Sequence, residues 1–222
     1  MDIHKPKPWH GVREFLKEYV IIVVGVLTAL GAEQVVEALH TRAELAEARA
    51  ALHEEVSANA GYIRYALQED RCFLGAMDPY AAWARGGPKP PPIMEAVHFP
   101  GFRASVWDEV KSGAVAHMPL KERLGYAEFY GDGANLLTLV AQDRALAGEI
   151  THATASGGLD REDAKALLKA VAVKNFLRIK IGAGRGMLQE AAKLGAQPKP
   201  RGAQSQGALE TLCRMVGMPV TD

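Results

Sequence analysis

Tyr19 to Ala32 reads YVIIVVGVLTALGA, fourteen consecutive residues without a charge. As a helix this run rises about 21 Å, short of the roughly 30 Å hydrocarbon core of a bilayer. Apolar character resumes after Glu33 and Gln34 with Val35, Val36, Ala38 and Leu39. A helix from Tyr19 to Leu39 is about 31 Å long, enough to span. It places Glu33 toward the far interface, where a carboxylate reaches headgroups or water. Trp9, Phe15 and Tyr19 suit the near interface. Lys5, Lys7, Arg13 and Lys17 precede the segment, whereas only Arg42 and Arg49 fall in the twenty residues after His40. That bias predicts an N-terminus inside and the remaining chain outside the cytoplasm.

Two other readings compete with the anchor. Ala29-Leu30-Gly31 has the small residues of a signal-peptide cleavage site, and the apolar run has the length of a signal core. Cleavage needs an extended chain, yet AEQVVEALHTRAELAEARAAL follows with unbroken helical character. A buried core helix of a soluble protein is the other. Val20 to Val24 is apolar on every side, unlike an amphipathic surface helix. An uncleaved single-pass anchor is the preferred reading.

Outward from the anchor, the composition narrows the function classes. Lys plus Arg and Asp plus Glu number 26 each in 222 residues, which argues against a nucleic-acid partner recognised through bulk charge. Cys72 and Cys213 are the two cysteines. In an oxidising compartment they are a candidate disulfide closing a long loop; two buried free thiols are the equal alternative.

The expected fold class is all-α, an N-terminal transmembrane helix continuing into a bundle-like helical domain. Residues 1–18 form a short cytoplasmic N-terminus, 19–39 the transmembrane helix, 40–195 the extracytoplasmic domain, and 196–222 a linker with a short C-terminal helix. Leu45, Leu52, Val56, Ala60, Ile63 and Leu67 make one apolar stripe on a coiled-coil-like helix over 41–77, its other face wet. Asp78-Pro79 breaks or redirects it, and a Pro-rich loop occupies 86–101. Ser105 with Asp108 three residues on predicts a capped helix start. Pro119 opens a helix over 120–154. Asp160 caps another over 161–194, ended by Gly195, and 196–206 read as linker before a helix over 208–216.

Lys165 to Arg201 holds nine basic residues and one acidic, whereas 41–78 holds seven acidic and four basic. Mutual neutralisation of two neighbouring long helices is the economical explanation. A basic face meeting anionic headgroups is disfavoured, because these cations do not all share one helical face.

Candidate chemistry is sparse. Glu-x-x-His occurs at Glu37/His40, Glu95/His98 and Glu149/His152. On a helix this spacing presents both groups together, as in di-iron bundles, but no matching set of further glutamates accompanies it. No metal or cofactor is therefore expected. Gly182, Gly184 and Gly186 depart from a dinucleotide fingerprint, since Met187 stands where its third glycine belongs; a local kink or close helix packing fits better. Gly25 and Ala29 permit helix dimerisation in the membrane. The best polar cluster lies in SVWDEVKSGAVAHMP: Trp107, Asp108, Ser112 and His117 form a candidate pocket. A packed Trp107 and a tight turn at Ser112-Gly113 explain the same residues without catalysis, and no catalytic residue is assigned.

The pattern PWHGVREFLKEYVIIVVGVLTALGAEQVVEALH, with EDRC, AWARGG and SVWDEVKSGAVAHMP, resembles a family of uncharacterised alphaproteobacterial single-anchor membrane proteins. The resemblance implies a bacterial inner-membrane protein with a helical periplasmic domain, and carries no activity or cofactor with it. The leading expectation is a non-enzymatic protein-interaction or structural role at the cell envelope. Its partners are the lipid bilayer and a membrane or envelope protein, with homodimerisation left open. The alternative is a periplasmic small-molecule-binding or enzymatic domain built on Trp107 to His117.

Overall fold

The computed structural model describes residues 11–90, 101–155, 158–182, 184–200, 202–215 and 217. Seven α-helices follow in order among them, with no strand: α1 (Val12–Ala76), α2 (Asp78–Trp83), α3 (Ser105–Val110), α4 (Leu120–Ala155), α5 (Arg161–Gly182), α6 (Arg185–Lys193) and α7 (Ala203–Met215). A 3₁₀ turn at Ala114–His117 joins α3 to α4. The chain is all-α. It divides into two units, Met1–Glu47 and Ala48–Asp222.

The described part of the first unit is the N-terminal stretch of α1. It contains one segment long and apolar enough to cross a membrane, and none of that segment is buried. Val20, Ile21, Ile22, Val24, Leu27, Val35 and Val36 are all more than half exposed. The core-helix reading of Tyr19–Ala32 therefore finds no covering surface among the described residues. The Thr28 hydroxyl donates to the Val24 carbonyl at 2.8 Å, so it needs no water. Phe15 and Tyr19 stack one turn apart, with ring centroids 6.5 Å apart.

In the second unit, Leu52, Val56, Ala60 and Ile63 of the expected stripe are buried. The buried surface is wider than that stripe and includes Glu55, Ser57, Asn59 and Glu69. The supposedly wet face of this helix is thus substantially covered. Met77 separates α1 from α2, and Pro79 sits in the first turn of α2, where its missing N–H costs nothing. Helix α4 packs against α5 and α6, and α2 packs on α5. One core gathers Tyr65, Cys72, Met77, Tyr80, Ile150, Leu167, Val171, Leu209 and Cys213 from α1, α2, α4, α5 and α7.

Helix α5 opens on a reciprocal cap. The Asp163 N–H donates to Asp160 Oδ1 at 2.8 Å, and the Asp160 N–H to Asp163 Oδ2 at 3.4 Å. The single helix expected over 161–194 is instead two, parted between Gly182 and Arg185. Here the Gly184 N–H reaches back to the Ile181 carbonyl at 2.8 Å, tightening the last turn. Gly195, with φ of 78°, follows the end of α6, a left-handed position glycine takes without strain.

The expected linker over 196–206 is also corrected. Residues 196–200 run against α1, where the Lys199 N–H donates to the Ser57 carbonyl at 3.0 Å. Gly61 makes this approach feasible, because a Cβ there would collide with the Lys199 backbone. Helix α7 then starts at Ala203, five residues earlier than expected.

Candidate functional site

Two buried polar clusters organise the domain. The first surrounds Glu55 on α1. One carboxylate oxygen accepts from Ser105 Oγ and the Val106 N–H, each at 3.0 Å. The other accepts from the Tyr130 hydroxyl at 2.8 Å and the Trp107 N–H at 3.3 Å. The expected local cap of Ser105 and Asp108 does not form. Glu55, fifty residues upstream of Ser105, satisfies the orphan amides of α3 instead. One turn further along α1, Asn59 donates to the Arg103 carbonyl at 2.7 Å and accepts its N–H at 2.9 Å. Together these side chains hold residues 103–107 on α1.

Aromatic rings seal this cluster. Trp107 lies nearly parallel to Tyr130, 5.0 Å between centroids, and stacks on Tyr126 at 6.5 Å. Phe102 meets Phe129 at 5.6 Å and Tyr130 at 5.8 Å. Gly133 leaves room for the Phe102 ring, which a Cβ would strike. Burial raises the pKa of Tyr130 well above the ordinary phenol value, and donation to Glu55 adds to the effect. Tyr126 is raised in the same direction, chiefly by burial.

The second cluster joins α4 to α5. Asp143 accepts from Lys174 Nζ at 3.1 Å and from Arg178 Nη2 at 2.8 Å through Oδ2, while Arg178 Nε reaches Oδ1 at 3.3 Å. All three side chains are withdrawn from water. Lys199 also pairs with Glu54 on α1. Within the basic C-terminal third, α4 thus neutralises Lys174 and Arg178, α1 pairs with Lys199, and Glu190 pairs with Lys193 within α6.

The four candidate pocket residues occupy different surroundings. Trp107 is half-buried in the tyrosine stack. Asp108 is exposed and pairs with Lys111 at 2.6 Å. Ser112 and His117 are exposed on the turns before α4. An open groove of about 640 Å³ lies between the start of α4 and α6, lined by Pro119, Leu124, Gly125, Tyr126 and Leu194 among others, and by none of those four. Beside it, Arg49 clamps both oxygens of Glu122 at 2.7 and 2.8 Å. That hydrogen-bonded carboxylate raises the Arg49 pKa.

Of the Glu-x-x-His pairs, Glu95/His98 lies outside the described residues. His40 pairs at 3.0 Å with Glu44 rather than Glu37, and Glu149 and His152 are exposed. Among the described residues no three His, Cys, Asp or Glu side chains converge as metal ligands would. Cys72 and Cys213 are joined in a disulfide, Cα atoms 5.0 Å apart, which ties α7 to α1 inside the main core. Comparison with protein-family models, curated proteins and solved structures finds no match to this chain.

Proposed function

We propose that this chain is a single-pass protein of the bacterial inner membrane, anchored by 19–39 with its N-terminus in the cytoplasm, whose periplasmic helical domain works by binding another envelope protein. The observation that carries the reading is the exposed apolar stretch of α1. Fourteen large apolar side chains from Val12 to Leu39 are each at least half exposed. Moving them out of water is worth on the order of 20 kcal/mol at the usual value per side chain. A soluble monomer rarely carries so large an apolar surface.

Two independent features support the orientation. Basic residues cluster before the segment. The buried Cys72–Cys213 disulfide belongs to an oxidising compartment, on the side where the preceding lysines are not. An interaction role fits a domain in which the buried Glu55, Asn59 and Asp143 side chains are consumed in holding helices together.

The test is membrane fractionation with protease accessibility on full-length protein carrying a C-terminal tag. Resistance to carbonate extraction, with the tag cleaved from outside the cytoplasmic membrane, is the expected result. A full-length protein in the soluble fraction sinks the anchor. A tag protected until the inner membrane is opened reverses the topology. In parallel, Cys72→Ser should abolish the faster migration of the unreduced protein on a denaturing gel.

A further inference from the structure

The cations of the C-terminal third are sorted by the fold. Lys174 and Arg178 turn inward to Asp143. The cations that remain exposed on α5 are Arg161, Lys165 and Lys169 toward its start and Lys180 near its end, with exposed Ala172, Val173, Phe176 and Ile179 between Lys169 and Lys180. At 100° per residue these eight positions fall within a single face about 120° wide. Phe176 is 56% and Ile179 64% exposed, on a helix whose opposite face is buried through Leu167, Val171, Leu177 and Ile181. Lys180 Nζ sits 5.4 Å from the centroid of the Phe176 ring. Glu162 is the one exposed acid on that face among the described residues. Lys165 to Lys180 spans about 22 Å, four turns of helix.

We propose that this face of α5 is the docking surface of the domain, and that its occupant is an acidic amphipathic helix of a second protein. The proposal rests on the protein-binding reading above and names its surface. Charge complementarity selects the occupant: carboxylates at i, i+4 spacing pair with lysines one turn apart while apolar side chains between them cover Phe176 and Ile179. A second copy of the same face is disfavoured, since a two-fold contact opposes like charges. A bilayer is disfavoured because interfacial helices keep lysines apart from the apolar side that inserts, whereas here lysines and apolar residues share one side.

The experiment places a photo-crosslinking phenylalanine analogue at Ala172 in the full-length protein in its own cells, with Ala145 on α4 as the control position. The expected result is an adduct at Ala172 whose cross-linked peptide, read by mass spectrometry, carries Glu or Asp at helical spacing around apolar residues. Combined Lys165→Glu, Lys169→Glu and Lys180→Glu should lower that adduct about tenfold. Lysines placed at the partner's acidic positions should restore it. A Lys→Gln triple variant, with helicity and disulfide mobility unchanged, should lower it less and so separate charge from folding. An adduct to lipid, an adduct to the chain's own sequence, or no adduct overturns the proposal. So does an adduct insensitive to charge reversal. An adduct at Ala145 alone moves the docking surface while sparing the protein-binding reading, and none of these outcomes alters the fractionation result.

Discussion

Glu55 and Asp143 are both withdrawn from water, 6% and 4% exposed, and they are held in opposite ways. Glu55 accepts from two backbone amides, a serine and a tyrosine, all neutral donors. Asp143 accepts from a lysine and an arginine. In the first case the carboxylate serves as a long-range helix cap, fixing where a segment from fifty residues away begins its turn. In the second it balances charge, and two cations would otherwise face the seam between α4 and α5. The lesson is that a buried acid does one of two jobs. The donors around it, rather than its burial, tell which.

Neutralising each acid without changing its shape separates the two. Asp143→Asn removes the charge facing two buried cations and should cost about 3–5 kcal/mol in denaturant unfolding. Glu55→Gln keeps one acceptor oxygen and should cost about 1–2 kcal/mol. Equal losses would break the comparison and make Glu55 a charge-balancing group as well. Replacing Asp143, Lys174 and Arg178 together by apolar residues of similar volume should recover most of the first loss, because desolvation of the ions goes with them.

Tyr130→Phe is the sharper, smaller test of the Glu55 cluster, at about 1 kcal/mol near neutral pH. Its pH dependence has a definite sign. The folded pKa of Tyr130 lies above its unfolded value, so its contribution is whole below about pH 10 and is lost as pH climbs toward the folded value. Above pH 10 the wild type should lose up to about 1.4 kcal/mol per pH unit on account of this one proton. Tyr130→Phe should flatten that limb, leaving the share that belongs to Tyr126. An unchanged alkaline limb would count against the buried hydrogen bond.

The smallest effect belongs to Arg49→Met. Its pair with Glu122 is two-pronged but 41% and 25% exposed, so solvent screens it. A loss of about 0.5–1 kcal/mol, shrinking in high salt, is expected. A larger, salt-independent loss would place this pair with Asp143 rather than at the surface.

Much of the architecture was legible in residue order. Asp78-Pro79 marks the end of α1, Pro119 the entry to α4, and Asp160 the cap of α5, because each acts on its own few residues of backbone. The glycines at 182 and 184 left a kink or close helix packing open within one expected helix, and the chain instead ends α5 at Gly182. Legibility failed where the deciding partner is distant. Ser105 and Asp108 looked like a self-contained cap, and only the fold brings Glu55 to those amides. The face of this helix expected to be wet carries the buried Glu55 and Asn59, for the same reason. Residues 196–206 looked like linker because nothing local announces that Gly61 leaves room for a chain to lie there.

Sequence alone determined that the protein is helical, where several of its helices begin, and that one uncharged stretch near the N-terminus is long and apolar enough to cross a membrane. Those are properties of propensity, capping and hydropathy, which act over one to six turns of chain. Tertiary structure alone decided which charges are buried and which stay outside. Lys174 and Lys169 are the same residue type five positions apart on α5, yet one faces Asp143 and the other solvent. About 140° around the helix separates those fates, and only the packing of α4 says which side is in. The same packing leaves lysines and Phe176 together on the exposed face of α5.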